Sequence, residues 1–145
     1  MRSSAGRFPT VGDQLYWLAS GEVTADELVR RSLHAITASQ STLNAFKVVL
    51  TTEALGGAAV ADERRRAGDT APLLGIPIAV KDDVDIAGVP TFFGTSGRVL
   101  PATADAEVVR RLRAAGAAIV DKPTTCKSEK WQSTSGLGFE STRNP

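Results

Sequence analysis

An α/β fold follows from three consecutive segments of the chain. Ile76-Pro77-Ile78-Ala79-Val80 is an almost continuous apolar run after Gly75, the pattern of a strand covered on both faces. Residues 105–115 then repeat at helical spacing, with Val108, Val109, Leu112 and Ala115 facing inward and a Glu107/Arg111 pair on the surface. Gly116 ends that helix, and residues 117–120 resume a strand. Strand, helix-bearing connection and strand make a βαβ unit, whose right-handed crossover lays the two strands parallel in one sheet.

The preceding residues supply helices and one more strand. Residues 11–19 form a first helix. A second begins at Thr24, where Thr24-Ala25-Asp26-Glu27 has the capping-box arrangement and Leu28, Val29, Leu33 and Ile36 form one apolar face. Ser39-Gln40-Ser41-Thr42 reads as a polar turn, and residues 45–50 as a short strand rich in β-branched side chains. A third helix spans residues 53–67, with Gly68 suited to the position just past its end and Arg64-Arg65-Arg66 at the negative end of its dipole. From Lys122 onward the pattern is polar and irregular, and the chain reaches Asn144-Pro145 without the polar tail usual at a domain's end.

Composition narrows the functional classes. With 145 residues, 42% apolar and 23% charged, the chain is of ordinary size for one globular domain and has no low-complexity tract. Lys plus Arg total 17 against 16 Asp plus Glu, so its charge steers it toward neither nucleic acid nor an acidic membrane. Cys126 is the single cysteine, which excludes an intramolecular disulfide and suits a reducing compartment. No apolar stretch approaches a membrane span or a signal-peptide core, so a cytoplasmic protein is expected.

Several chemistries fail on spacing. Asp83-Val84-Asp85-Ile86-Ala87-Gly88 begins like a calcium loop, but Ala87 replaces an oxygen ligand and Gly94 stands where a bidentate glutamate belongs. His34 and Cys126 have neither the order nor the flanks of a thiol nucleophile with its base, and they are too few for a zinc site. No phosphate-binding glycine loop occurs, and no cofactor or metal is expected. Trp17 and Trp131 read as core or pocket-wall residues.

Lys81 is the residue placed for chemistry. It follows the apolar run directly, where the C-terminal edge of a sheet forms a crevice. Partial burial there would favour the neutral amine, which can take a proton from a hydroxyl; the plainer alternative is a solvated lysine at a strand end.

The segment Leu74-Gly75-Ile76-Pro77-Ile78-Ala79-Val80-Lys81-Asp82-Asp83-Val84-Asp85-Ile86-Ala87-Gly88-Val89-Pro90-Thr91 resembles, nearly residue for residue, the region around the catalytic lysine of the amidase-signature family. Residues 105–117 resemble the helix and turn that follow it, and Thr142-Arg143-Asn144-Pro145 the entry to the family's Gly/Ser-rich segment. The resemblance implies a mixed sheet flanked by helices, of which residues 1–145 would be one partial, N-terminal domain. It also implies a Ser-Ser-Lys triad acting on carboxamides, with Lys81 as the triad lysine. The family's two serines fall past Pro145. Ser133 and Ser135 lie upstream of those positions, and Gly136 and Gly138 do not reproduce the Gly-Gly-Ser-Ser-Gly-Gly-Ser pattern.

One departure stands out: in Lys122-Pro123-Thr124-Thr125-Cys126-Lys127-Ser128, Lys127 occupies a position where the family usually has glutamate. Two functional expectations result. In the first, the chain is part of an amidase that releases ammonia from a small amide, and it is silent without the serine-bearing segment. In the second it is a non-catalytic remnant or interaction module. Its unpaired strand edges would then need cover from a second copy or a complementing fragment.

Overall fold

The computed structural model describes residues 9–125 and 141–143. In chain order the elements are α1 (Val11–Ser20), α2 (Ala25–Leu43), β1 (Phe46–Val49), α3 (Thr51–Arg66), β2 (Pro77–Ala79), α4 (Glu107–Ala114) and β3 (Ala118–Pro123). The three strands form one mixed sheet in the order β1-β3-β2, with β2 parallel and β1 antiparallel to the central β3. The α/β class and the parallel pairing expected from the sequence are both present.

Two helix starts are set by local chemistry. Thr10 and Thr24 each form a capping box, with the hydroxyl accepting the amide of Asp13 or Glu27 and the acidic side chain returning to the threonine amide. The first turn of α2 has further acceptors: the Asp62 carboxylate, on α3, takes the Ala25 amide at 2.8 Å and the Asp26 amide at 3.1 Å. α3 thereby caps α2 from the side and fixes how the two helices meet.

α2 continues through residues 39–42, where a turn was expected. The hydroxyls of Thr37, Ser39 and Thr42 fold back onto the carbonyls of Leu33, Ala35 and Ser39, so these side chains do not break the helix. Asn44, at a left-handed φ of 49°, ends it, and the Gln40 side chain receives the Phe46 amide as the chain enters β1.

Buried residues fall into two clusters on either side of the sheet. The larger joins Leu18, Val29, Leu33, Ile36, Ala54, Ala58, Leu74, Ile76, Ala118 and Val120 beneath α2 and α3, with Trp17 packed against it. The smaller joins Val80, Ile86, Val89, Val109 and Ile119 beneath α4. Alternation along β3 sends Ala118 and Val120 to one cluster and Ile119 to the other, so β3 is covered on both faces.

Close backbone approach demands glycine at two points. A side chain on Gly75 would meet the Ala25 Cβ at 2.6 Å, and one on Gly116 would meet the Leu74 Cα at 2.8 Å; both glycines have positive φ, 84° and 90°. The Gly75 amide donates to the Gly116 carbonyl at 2.9 Å, which clips together the residues that lead into β2 and β3.

Four expectations are corrected. β2 is shorter than residues 76–80, and Ala79 is exposed, because β2 is an edge strand with cover on one side only among the described residues. Val108 is 50% exposed, while Val109 is fully buried. α4 starts at Glu107 instead of residue 105, because Asp105 turns its carboxylate to the Ala87 amide and to Arg113. β3 runs on to Pro123, so Lys122 lies inside the sheet. The Glu107/Arg111 pair forms as expected, at 2.7 Å. Ser133, Ser135, Lys127, Cys126 and Trp131 lie outside the described residues.

Candidate active site around Lys81

Lys81 leaves the C-terminal end of β2 between two backbone bonds to β3. The Val80 amide donates to the Asp121 carbonyl at 3.0 Å, and the Asp82 amide to the Pro123 carbonyl at 3.1 Å. The backbone of residues 80–82 is thus pinned on both sides of the lysine. Its side chain is 52% exposed, and Nζ lies 3.2 Å from the Asp83 carboxylate. Lys81 is less enclosed than its place after an apolar run suggests, since no strand among the described residues pairs with the outer side of its edge strand.

Behind Lys81 sits an ionic cluster built on a residue whose sequence surroundings look irregular. Lys122 is completely buried. Its ammonium donates to Thr91 Oγ1 at 2.7 Å and to the Pro90 carbonyl at 3.2 Å, and it lies 3.3 Å from Asp82 Oδ1. The Asp82 carboxylate, also buried, accepts the Phe92 amide, while the Asp82 carbonyl accepts the Phe93 amide at 3.1 Å. The Thr91 hydroxyl in turn donates to Asp85 at 2.7 Å. A buried ammonium is tolerable only with this kind of saturation by acceptors. No cue in the residues singles out Lys122, which opens the polar, irregular run after the last strand expected from the sequence.

Burial pushes the Asp82 carboxyl above its ordinary range, while the Phe92 amide and the Lys122 ammonium pull against that shift. Asp121, one residue before Lys122, is fully buried too, and neither carboxylate oxygen has a hydrogen-bond partner among the described residues. Desolvation alone raises it from 3.8 to about 6.

The far side of the loop is held independently. Ala87 pairs with Ala102 and Pro90 with Pro101. Asp105 receives the Ala87 amide at 2.8 Å and Arg113 Nε at 2.9 Å, and Arg113 also bonds Glu53 on α3. Phe93 adopts a positive φ of 50°, unusual for an aromatic residue, and the Lys47 ammonium lies 4.9 Å from the Phe92 ring centre. A groove of about 280 Å³ between α3 and α4, walled by Glu53, Gly57, Val60, Arg64 and Arg113, does not include Lys81.

Among the described residues no group of three or more His, Cys, Asp or Glu side chains is placed to hold a metal ion, and no helix is long and apolar enough to cross a membrane.

Comparison with known proteins gives this arrangement its context. The family model Amidase matches residues 27–145. A Mycobacterium bovis protein named "Putative amidase AmiA2" is 69% identical over 139 residues, covering 96% of this chain and 29% of its own length. A second Mycobacterium bovis protein, "Putative amidase AmiB2", is 46% identical over 138 residues, covering 95% of this chain and 30% of its own length. The chain therefore spans under a third of the length of these curated relatives. Among solved structures, native peptide amidase from Stenotrophomonas maltophilia superposes with a TM-score of 0.76 at 32% identity, over 86% of this chain and 26% of that one. A bacterial aryl acylamidase of the amidase-signature family matches in fold, with a TM-score of 0.84 at 18% identity. By both sequence and fold, the chain belongs to the amidase-signature family.

Proposed function

We propose that this chain is one partial domain, supplying the base of an amide-cleaving centre whose two serines come from protein beyond the 145 residues. The observation that carries this reading is the placement of Lys81. It stands at the C-terminal end of a parallel strand, with half its side chain in solvent and with the backbone on either side bonded to β3. Such a lysine is fixed at its root and still half exposed along its side chain, which suits a base that must reach a serine hydroxyl.

In this reading the Lys81 amine takes the nucleophile's proton through the second serine. The serine oxygen bonds to the amide carbon, and backbone amides hold the resulting oxyanion. Collapse breaks the C–N bond and the leaving ammonia takes up the proton. Water then releases the acid and restores the serine. The amine must be neutral when it accepts the proton, so the serine-bearing segment and the substrate have to displace the water that reaches Lys81 and loosen its contact with Asp83.

The substrate is a small carboxamide, and the protein works in the cytoplasm. The near-balanced charge of the chain supports a small partner over a nucleic acid.

The test is a fusion of this chain to the remaining length of AmiA2. It is offered simple aliphatic and aromatic amides, and ammonia release is followed over time. Multiple turnovers on at least one amide are expected. A soluble, folded fusion that releases no ammonia from any of them would overturn the proposal.

A further inference from the structure

Lys122 is completely buried, and its bonds all reach the loop that carries Lys81. From β3 the ammonium holds both arms of that loop. Asp82, immediately after Lys81, is on the outgoing arm, and Pro90 and Thr91 are on the returning arm. Thr91 continues the chain of bonds to Asp85, and the Asp82 carboxylate closes it by accepting the Phe92 amide. No other lysine among the described residues is as buried. A hydrophobic side chain could fill the same space without the desolvation an ammonium incurs, so the ionic form calls for an explanation other than packing.

We propose that Lys122 is a positioning residue for Lys81. It acts through Asp82 and Thr91 to hold the backbone from which the Lys81 side chain projects. The inference rests on the reading of Lys81 as the base of amide cleavage. It adds that the lysine's aim is set by a second lysine that never touches substrate. Loss of this anchor leaves substrate binding in place and impairs the step in which the base must meet the hydroxyl, because small displacements of a catalytic group affect reaction more than affinity.

The experiment compares Lys122→Met, Thr91→Val and Lys81→Ala in the AmiA2 fusion, with circular dichroism to check folding. For Lys122→Met, kcat is expected to fall about 10- to 100-fold with KM changed less than about twofold. Thr91→Val removes one of the ammonium's bonds, and a smaller fall in kcat is expected; it carries the test if Lys122→Met does not fold. Amide hydrogen exchange on the same fusion is the second measurement. In either variant the Val80, Asp82 and Phe93 amides are expected to exchange faster while the α2 amides keep their protection. Folded variants with unchanged kcat would overturn the inference, as would a KM that rises in step with any loss. So would exchange that accelerates equally in α2, which indicates general loosening. If Lys81→Ala is fully active, the base reading itself fails. If Lys81→Ala is dead and Lys122→Met and Thr91→Val are unimpaired, only the positioning role fails.

Discussion

The Asp62 carboxylate on α3 accepts the Ala25 and Asp26 amides at the start of α2, at 2.8 and 3.1 Å. Two otherwise orphaned donors are thereby satisfied by a group 37 and 36 residues away, and a negative charge sits at the positive end of the helix dipole. Asp62→Ala is expected to lower stability by about 2 kcal/mol, the scale of a charged cap with two hydrogen bonds. Asp62→Asn, which keeps one acceptor, should lose less. Urea unfolding of the two variants checks the order, and equal stability of Asp62→Ala and the parent chain would count against the cap.

Gly75→Ala tests the clip between the two strand entries. The added carbon would sit 2.6 Å from Ala25 Cβ at a φ of 84°. Strain and overpacking together are expected to cost about 2–4 kcal/mol. Gly68, also at positive φ but with open space around it, offers the control: Gly68→Ala should cost only about 1 kcal/mol. Thermal melting of the pair separates contact from backbone strain.

The local signals of this fold were legible wherever short-range chemistry decided the outcome. The capping box at Thr24, the apolar face of α2, the βαβ order and the Glu107/Arg111 pair all follow from residue spacing, and all are present. What the spacing could not show was set by tertiary partners. Residues 39–42 look like a turn until their hydroxyls are seen bonding back to the helix and Gln40 reaching Phe46. Val108 fits the apolar stripe of α4, but the stripe's buried line passes through Val109. Lys122 was illegible for a different reason: it opens the polar, irregular run past the expected strand, and only the return of residues 90–91 over β3 buries it. Lys81 was singled out by its motif alone, and its exposure follows from the edge position of β2.

Asp121 makes stability depend on pH in an unusual direction. Its carboxyl titrates at about 6 in the fold, against the ordinary 3.8, so between those values the folded chain keeps a proton that the unfolded chain has lost. This group's contribution is fully present below the unfolded value and fades as pH rises through about 6. Asp121→Asn should therefore be more stable than the parent at pH 7, by on the order of 2–3 kcal/mol, with the gap closing toward about pH 4. Urea unfolding at the two pH values is the check. A gap that widens on acidification would rule out burial as the cause.

Whether Lys81 is the base of an amide-cleaving centre is decided by ammonia release from the AmiA2 fusion carrying Lys81→Ala. Activity is expected to fall at least about 1,000-fold with the circular dichroism spectrum unchanged, because no other side chain replaces the proton acceptor. A folded Lys81→Ala fusion that turns over amides at the parent rate would mean that Lys81 is not the base.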